Sequence, residues 1–158
     1  MLKRLLSLST IVVAITVSSF AANKKASSKA AGPGPDKAYL QKIWDGWSTL
    51  NPANTAEFYA PGQHTFFDIA PLKYDSWEEY QKGVVAVLAD YKSASFTVND
   101  DVQVHPAGDY FWGTATVKSD MTHKSGKRDM ASIRWTFVFE KQDGKWLVVH
   151  EHISEPLQ

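Results

Sequence analysis

The chain has 158 residues, 44% of them hydrophobic and 13% aromatic, which is enough to bury the core of one domain and excludes a disordered or collagen-like polymer. Seventeen Lys and Arg balance seventeen Asp and Glu, so no basic field is available to hold a nucleic-acid backbone. Without cysteine there can be no disulfide scaffold, thiol nucleophile, iron–sulfur cluster or Cys-ligated zinc.

Residues 1–21 have the three parts of a secretory signal: Lys3 and Arg4, an apolar stretch softened by Ser and Thr, and Ser19-Phe20-Ala21 as a small-x-small cleavage site. The expected product is an exported, periplasmic or extracellular protein with no membrane anchor once the signal is removed. Residues 22–36 are rich in Ala, Ser, Lys, Gly and Pro and lack apolar periodicity, which predicts a disordered linker. Up to residue 37 the chain carries six basic residues and one acidic residue. The remainder, with 11 basic and 16 acidic, is mildly acidic.

The domain is expected over 37–156. Leu40, Ile43, Trp44 and Trp47 recur at i, i+3, i+4 and i+7, predicting a first helix over 37–50 that Asn51-Pro52 stops. Asn54 followed by Glu57 reads as the cap of a short second helix carrying Phe58 and Tyr59. Residues 64–69 are aromatic, bounded by turn formers, and predict a strand. Ser76-Trp77-Glu78-Glu79 is a capping box before Tyr80, Val84, Val87, Leu88 and Tyr91, a third helix.

The period then changes from helical to alternating. Residues 96–104, 110–120, 129–141 and 145–154 predict four strands, separated by the turn formers at 106–109, 124–126 and 142–144. The order is α-α-β-α-β-β-β-β, an α+β fold. Long antiparallel strands twist and curl, so the sheet should wrap the three helices as a cone whose wide end can take a small molecule. Trp44, Trp47, Tyr59 and Trp112 are candidate lining residues, with plain core packing as the alternative.

Arg134-Trp135-Thr136, Asp143-Gly144-Lys145-Trp146 and the run Val149-His150-Glu151-His152-Ile153-Ser154, in this element order, resemble the nuclear transport factor 2-like superfamily. The likeness is greatest to its SnoaL-like and ketosteroid-isomerase-like branch, and the closing hairpin is also similar to the association domain of calcium/calmodulin-dependent protein kinase II. The resemblance implies the cone fold, a pocket and a homodimer. It implies no single activity, because the superfamily spans isomerases, cyclases, dehydratases and oligomerisation hubs.

Asp68 follows the first strand much as the general base of ketosteroid isomerases does. In an apolar pocket its proton affinity would rise and make it a competent base, whereas capping the loop before Pro71 is the structural alternative. The oxyanion hole of those enzymes uses a Tyr from the first helix and a protonated Asp from a late strand. Here Trp44, Trp47, Arg134 and Thr136 stand at the corresponding elements, so steroid isomerisation is not expected.

Strand parity puts Arg134, Thr136 and Val138 on one face and Ile133, Trp135, Phe137 and Phe139 on the other. Placing Arg134 and Thr136 inside, as contacts for a carboxylate or enolate, leaves the apolar face to a second copy of the chain. His150 and His152 share a face and are candidate acid–base groups, with Glu151 opposite them and expected at the surface or an interface. Two imidazoles alone do not make a metal site, and none is expected. No nucleotide-binding glycine motif, nucleophile elbow or zinc-protease motif occurs, and no cofactor is expected.

The candidate catalytic residues are therefore Asp68, His150 and His152. The expected activity is proton transfer on a small carboxylated or aromatic compound, and the alternative is a non-catalytic binding or dimerisation domain.

Overall fold

The computed structural model describes residues 33–157; the signal expected over 1–21 and residues 22–32 of the linker lie outside them. Helix α1 (Lys37–Ser48) is capped by Asp36, whose side chain accepts from the Tyr39 N–H at 2.8 Å, and it buries the predicted stripe Leu40, Ile43, Trp44 and Trp47. Just before it, Pro35 is buried and Gly34 lies against the Phe111 ring, so this end of the linker packs on the domain.

The expected second helix is a 3-10 helix (Pro52–Phe58), capped by Asn51 rather than Asn54. The Asn51 side chain accepts from Ala53 N–H, and Pro52 at the first helical position has no N–H to leave unpaired. Helix α2 (Trp77–Leu88) starts at Ser76, whose hydroxyl accepts from Glu79 N–H, and Glu79 reaches back to the Asp75 N–H at 2.9 Å. It ends at Leu88, before Tyr91, which belongs to the next strand.

Seven strands form one curved, unclosed sheet: β1 (Gln63–Phe67), β2 (Tyr74–Ser76), β3 (Tyr91–Val98), β4 (Gln103–Ala107), β5 (Tyr110–His123), β6 (Arg128–Gln142) and β7 (Lys145–Ser154). Their order is β2-β1-β7-β6-β5-β3, with β4 also on β5. The strand expected over 96–104 is thus two. Strand β3 pairs with the C-terminal half of β5 and β4 with its N-terminal half, and between them Asp101 turns the chain by accepting from the Thr116 N–H and hydroxyl. Strand β2, three residues long, has no counterpart in the sequence reading. β3 is an edge, and α1 covers part of it: Gln41 donates to Phe96 O and accepts from Val98 N–H, which satisfies backbone groups that would otherwise seek another strand.

The sheet's inner face packs on the helices. Strand β6 contributes Ile133, Trp135, Phe137 and Phe139, all buried, so the apolar face expected at a partner subunit is the core of the domain. Its outer face carries Arg134, Thr136 and Val138.

The inner face of β7 is set by a bulge. Val138 pairs with His150 but Phe139 pairs with Val148, leaving Val149 as an extra residue. Val148 therefore points inward, the parity then flips, and Glu151 and Ile153 point inward instead of His150 and His152.

Gly113 on β5 sits beneath the Phe137 ring and against the Gln103 carbonyl. A methyl group there must displace backbone, so Gly113→Ala is expected to lose about 1–3 kcal/mol of stability, read as a lower urea midpoint at unchanged slope.

Candidate functional site

Helices α1 and α2 and the inner face of the sheet enclose a cavity of about 610 Å3. Its walls are apolar: Trp44 and Trp47 from α1, Tyr80, Val84 and Leu88 from α2, and Phe96, Met121, Ile133 and Ile153 from the sheet. Ile69, Val87 and Met130, each at least half exposed, ring the opening.

At the mouth the charged residues other than Glu155 are paired with one another. Lys127 pairs with Asp129 at 2.9 Å, His123 and the Tyr91 hydroxyl meet the same carboxylate, and Arg128 holds Asp120 through its Nε at 2.6 Å. Donation from Lys127 and then His123 holds Asp129 down to about 2.

Asp68 lies on the cavity wall, at the exit of β1. Its Oδ1 accepts from the Ile69 N–H at 2.7 Å, so the loop contact considered from sequence is present as well. Burial raises its proton affinity above the usual carboxylate range, opposed in part by the Ile69 N–H and the Tyr80 hydroxyl.

Glu151, expected at the surface or an interface, is instead 1% exposed within the single chain. It occupies an aromatic nest behind the wall. Tyr59 donates to its Oε1 at 2.9 Å and Trp135 Nε1 to its Oε2 at 2.8 Å, while Trp47 Nε1 donates to the Tyr59 hydroxyl at 3.1 Å. Tyr59 stacks on Trp77 at 4.2 Å, and Trp135 meets Trp44 edge-on at 5.4 Å. Removal from water pushes Glu151 up to about 7, against the ionising influence of Trp135, Tyr59 and Tyr80, and the Asp68 charge pushes in the same direction as burial. The Tyr80 hydroxyl interacts with both acids.

The sequence-predicted residues thus divide. Trp44, Trp47 and Asp68 line the cavity, and Tyr59 stands directly behind it in the Glu151 nest. Arg134 does not enter: it is exposed on the outer face and donates to the Glu155 carbonyl at 3.0 Å. Thr136 and His152, cross-strand partners, are exposed on that same face.

His150 is also on the outer face, with Nδ1–H donating to the Thr65 carbonyl at 2.7 Å, and Phe67 packs edge-on against both imidazoles. Trp112 is outside too, 46% exposed and stacked on His105 at 4.2 Å. With Arg134 outside, the carboxylate-binding role expected of it has no support. Among the described residues, the two cations that line the cavity, Lys127 and Arg128, are already paired with aspartates. No group of three or more ligating side chains is clustered among the described residues.

Residues 38–158 match the SnoaL-like domain family. The chain belongs to that family. Among solved structures, this SnoaL-like domain is similar to a protein from Xanthomonas campestris assigned as a calcium/calmodulin-dependent protein kinase II association domain. That pair is 25% identical with a TM-score of 0.66, over 83% of this chain and 96% of the other. A nuclear transport factor 2-like superfamily protein from Salmonella enterica gives a TM-score of 0.70 at 12% identity, over 77% and 89%. A protein from Streptomyces avermitilis assigned as a dehydratase gives 0.66 at 15%, over 78% and 96%. No curated protein matches the sequence.

The protonation of Glu151 couples to the stability of the SnoaL-like domain. An unfolded glutamate loses its proton near 4.5 while the folded one keeps it to about 7, so the unfolded state binds fewer protons across that window. Stability from this group is intact below the window, falls as pH rises through it, and above it is lower by on the order of 3 kcal/mol. Glu151→Gln removes the ionisable group. Urea unfolding at pH 5 and pH 8 is expected to show a smaller loss of stability on going to pH 8 in Glu151→Gln than in the wild type; equal losses would contradict a protonated Glu151.

Proposed function

We propose that this SnoaL-like domain takes a small, neutral, largely aromatic molecule into its cavity and moves a proton on it, with Asp68 as the base. The observation that carries this reading is a carboxylate of raised proton affinity on the wall of an otherwise apolar cavity of ligand size. Asp68 takes a proton from a carbon next to a carbonyl, the C–H electron pair moves into the carbonyl to give an enolate, and the same carboxyl returns the proton to another position. The Tyr80 hydroxyl, on the same wall, is the donor this reading assigns to the carbonyl oxygen that gains charge. Trp44 lines the cavity, and among the described residues its buried indole N–H has no acceptor.

Thermal shift with aromatic ketones and phenols, and with the matching carboxylates, tests the ligand class. A ligand at 100 times its dissociation constant adds about 2.7 kcal/mol of stability, and the neutral compounds are expected to raise Tm where the carboxylates do not. Hydrogen–deuterium exchange at carbon in a ligand so identified, followed by proton NMR, tests the chemistry. Asp68→Asn is expected to slow exchange about 10²–10⁴-fold while binding persists. Unchanged exchange would favour the alternative, a non-catalytic binding or dimerisation domain, for which the likeness to the association-domain protein speaks.

We further propose an exported protein that pairs with a second copy through the outer sheet face. The half-exposed Trp112 beside Tyr110 and Val138 supports that surface. Trp112→Glu is expected to convert a dimer to a monomer in sedimentation velocity with an unchanged circular dichroism spectrum; a wild-type monomer would refute the pairing.

A further inference from the structure

The proposed reaction leaves Glu151 without a task, although a carboxyl sealed from water is costly to keep. Strands β1 and β7 run parallel, with Phe66 opposite Glu151 and both side chains buried on the inner face. Asp68 follows Phe66 by two residues, so the two carboxyls leave adjoining strands toward the same side. The groups facing them are Trp47 from α1, Tyr59 from the end of the 3-10 helix, Tyr74 from β2, Tyr80 from α2 and Trp135 from β6. All are neutral, and the groups acting on Glu151 include no cation.

Two carboxylates in such surroundings cannot both ionise at low cost. Asp68 has the cavity beside it and a backbone N–H on its Oδ1, whereas Glu151 has neither solvent nor a charge partner. Asp68 is the one to lose its proton.

We propose that Glu151 is a positioning residue acting through Asp68: from behind the cavity wall it retains its carboxyl proton while Asp68 is ionised, so the pair presents one negative charge to the ligand. Trp135 Nε1 can only donate, so Oε2 stays an acceptor and the proton sits on Oε1, where the Tyr59 hydroxyl, a donor to the ionised carboxylate, turns to accept. Asp68 can then accept a proton without a second anion behind it, and a nascent enolate meets a single carboxyl charge that is being quenched. The Asp68 charge adds to burial in raising the proton affinity of Glu151.

This inference rests on the base assignment above, and its test separates the two. In the full-length protein with 13C-labelled side chains, the carboxyl carbons of Asp68 and Glu151 are followed by NMR from pH 3 to 9. Glu151 is expected to titrate near 7, after Asp68, and the Asp68 carbon to show a small second inflection at the Glu151 midpoint. Asp68→Asn should lower the Glu151 midpoint, and Glu151→Gln should abolish the second inflection while leaving the main Asp68 step in place. A Glu151 that titrates in the ordinary carboxylate range, or whose midpoint is unmoved in Asp68→Asn, overturns the proposal. If Glu151→Gln does not fold, the wild-type curves and Asp68→Asn decide it.

Where exchange at a ligand carbon is measurable, its rate should fall on the alkaline side at the Glu151 midpoint and that fall should vanish in Glu151→Gln; an identical limb in both proteins removes the positioning role. Coupled titration with exchange intact in Asp68→Asn sinks the base assignment and spares the pair. Exchange lost in Asp68→Asn with independent titrations does the reverse.

Discussion

The inner face of the sheet and the two α-helices are joined by aromatic rings, and the extent of those contacts decides where the molecule is solid and where it is hollow. At one end Tyr59, Trp77, Tyr80, Phe66 and Tyr74 interlock, with Tyr59 stacked on Trp77 and Tyr80 stacked on Tyr74 at 4.9 Å. Beside them the cavity opens, where Val84, Leu88, Met121 and Ile133 join Trp44, Trp47 and Phe96 in its wall. Large flat side chains of fixed shape cannot slide to fill the remainder, so the cavity persists between them.

That packing also sets the electrostatics. Burying a carboxyl among rings removes water but leaves indole and phenol donors, which stabilise the ionised form without neutralising it. Glu151, between Tyr59 and Trp135, is the extreme case, and Asp68 at the edge of the same wall is the milder one. The surface acids behave oppositely. Asp120 and Asp129 have Arg128 and Lys127 beside them and are held low, so the cations at the mouth are held in ion pairs rather than left to receive an anion.

Much of the fold was legible because it depends on local chemistry. The α1 stripe, the Ser76 cap, the long β5, β6 and β7 and their turns follow from periodicity and capping, and all are present. The three-residue β2 was not legible, since so short an edge strand has no period to detect. Nor was the break between β3 and β4, because Asn99 to Val102 leaves a ladder that resumes on the same partner β5, and from sequence the two pieces read as one strand.

The sequence by itself determined the element order, the alternation along β6 and the presence of an acid after β1. Alternation says which residues share a face and never which face is inside, so Arg134 and Thr136 were free to be read inward until the packing of Ile133, Trp135, Phe137 and Phe139 on α1 excluded it. On β7 even the alternation failed. A single extra residue, Val149, reverses the parity, turning His150 and His152 outward and carrying Glu151 into the core. A bulge is fixed by the pairing of two strands, and no residue type at Val149 announces it, so the buried acid was decided by tertiary structure alone.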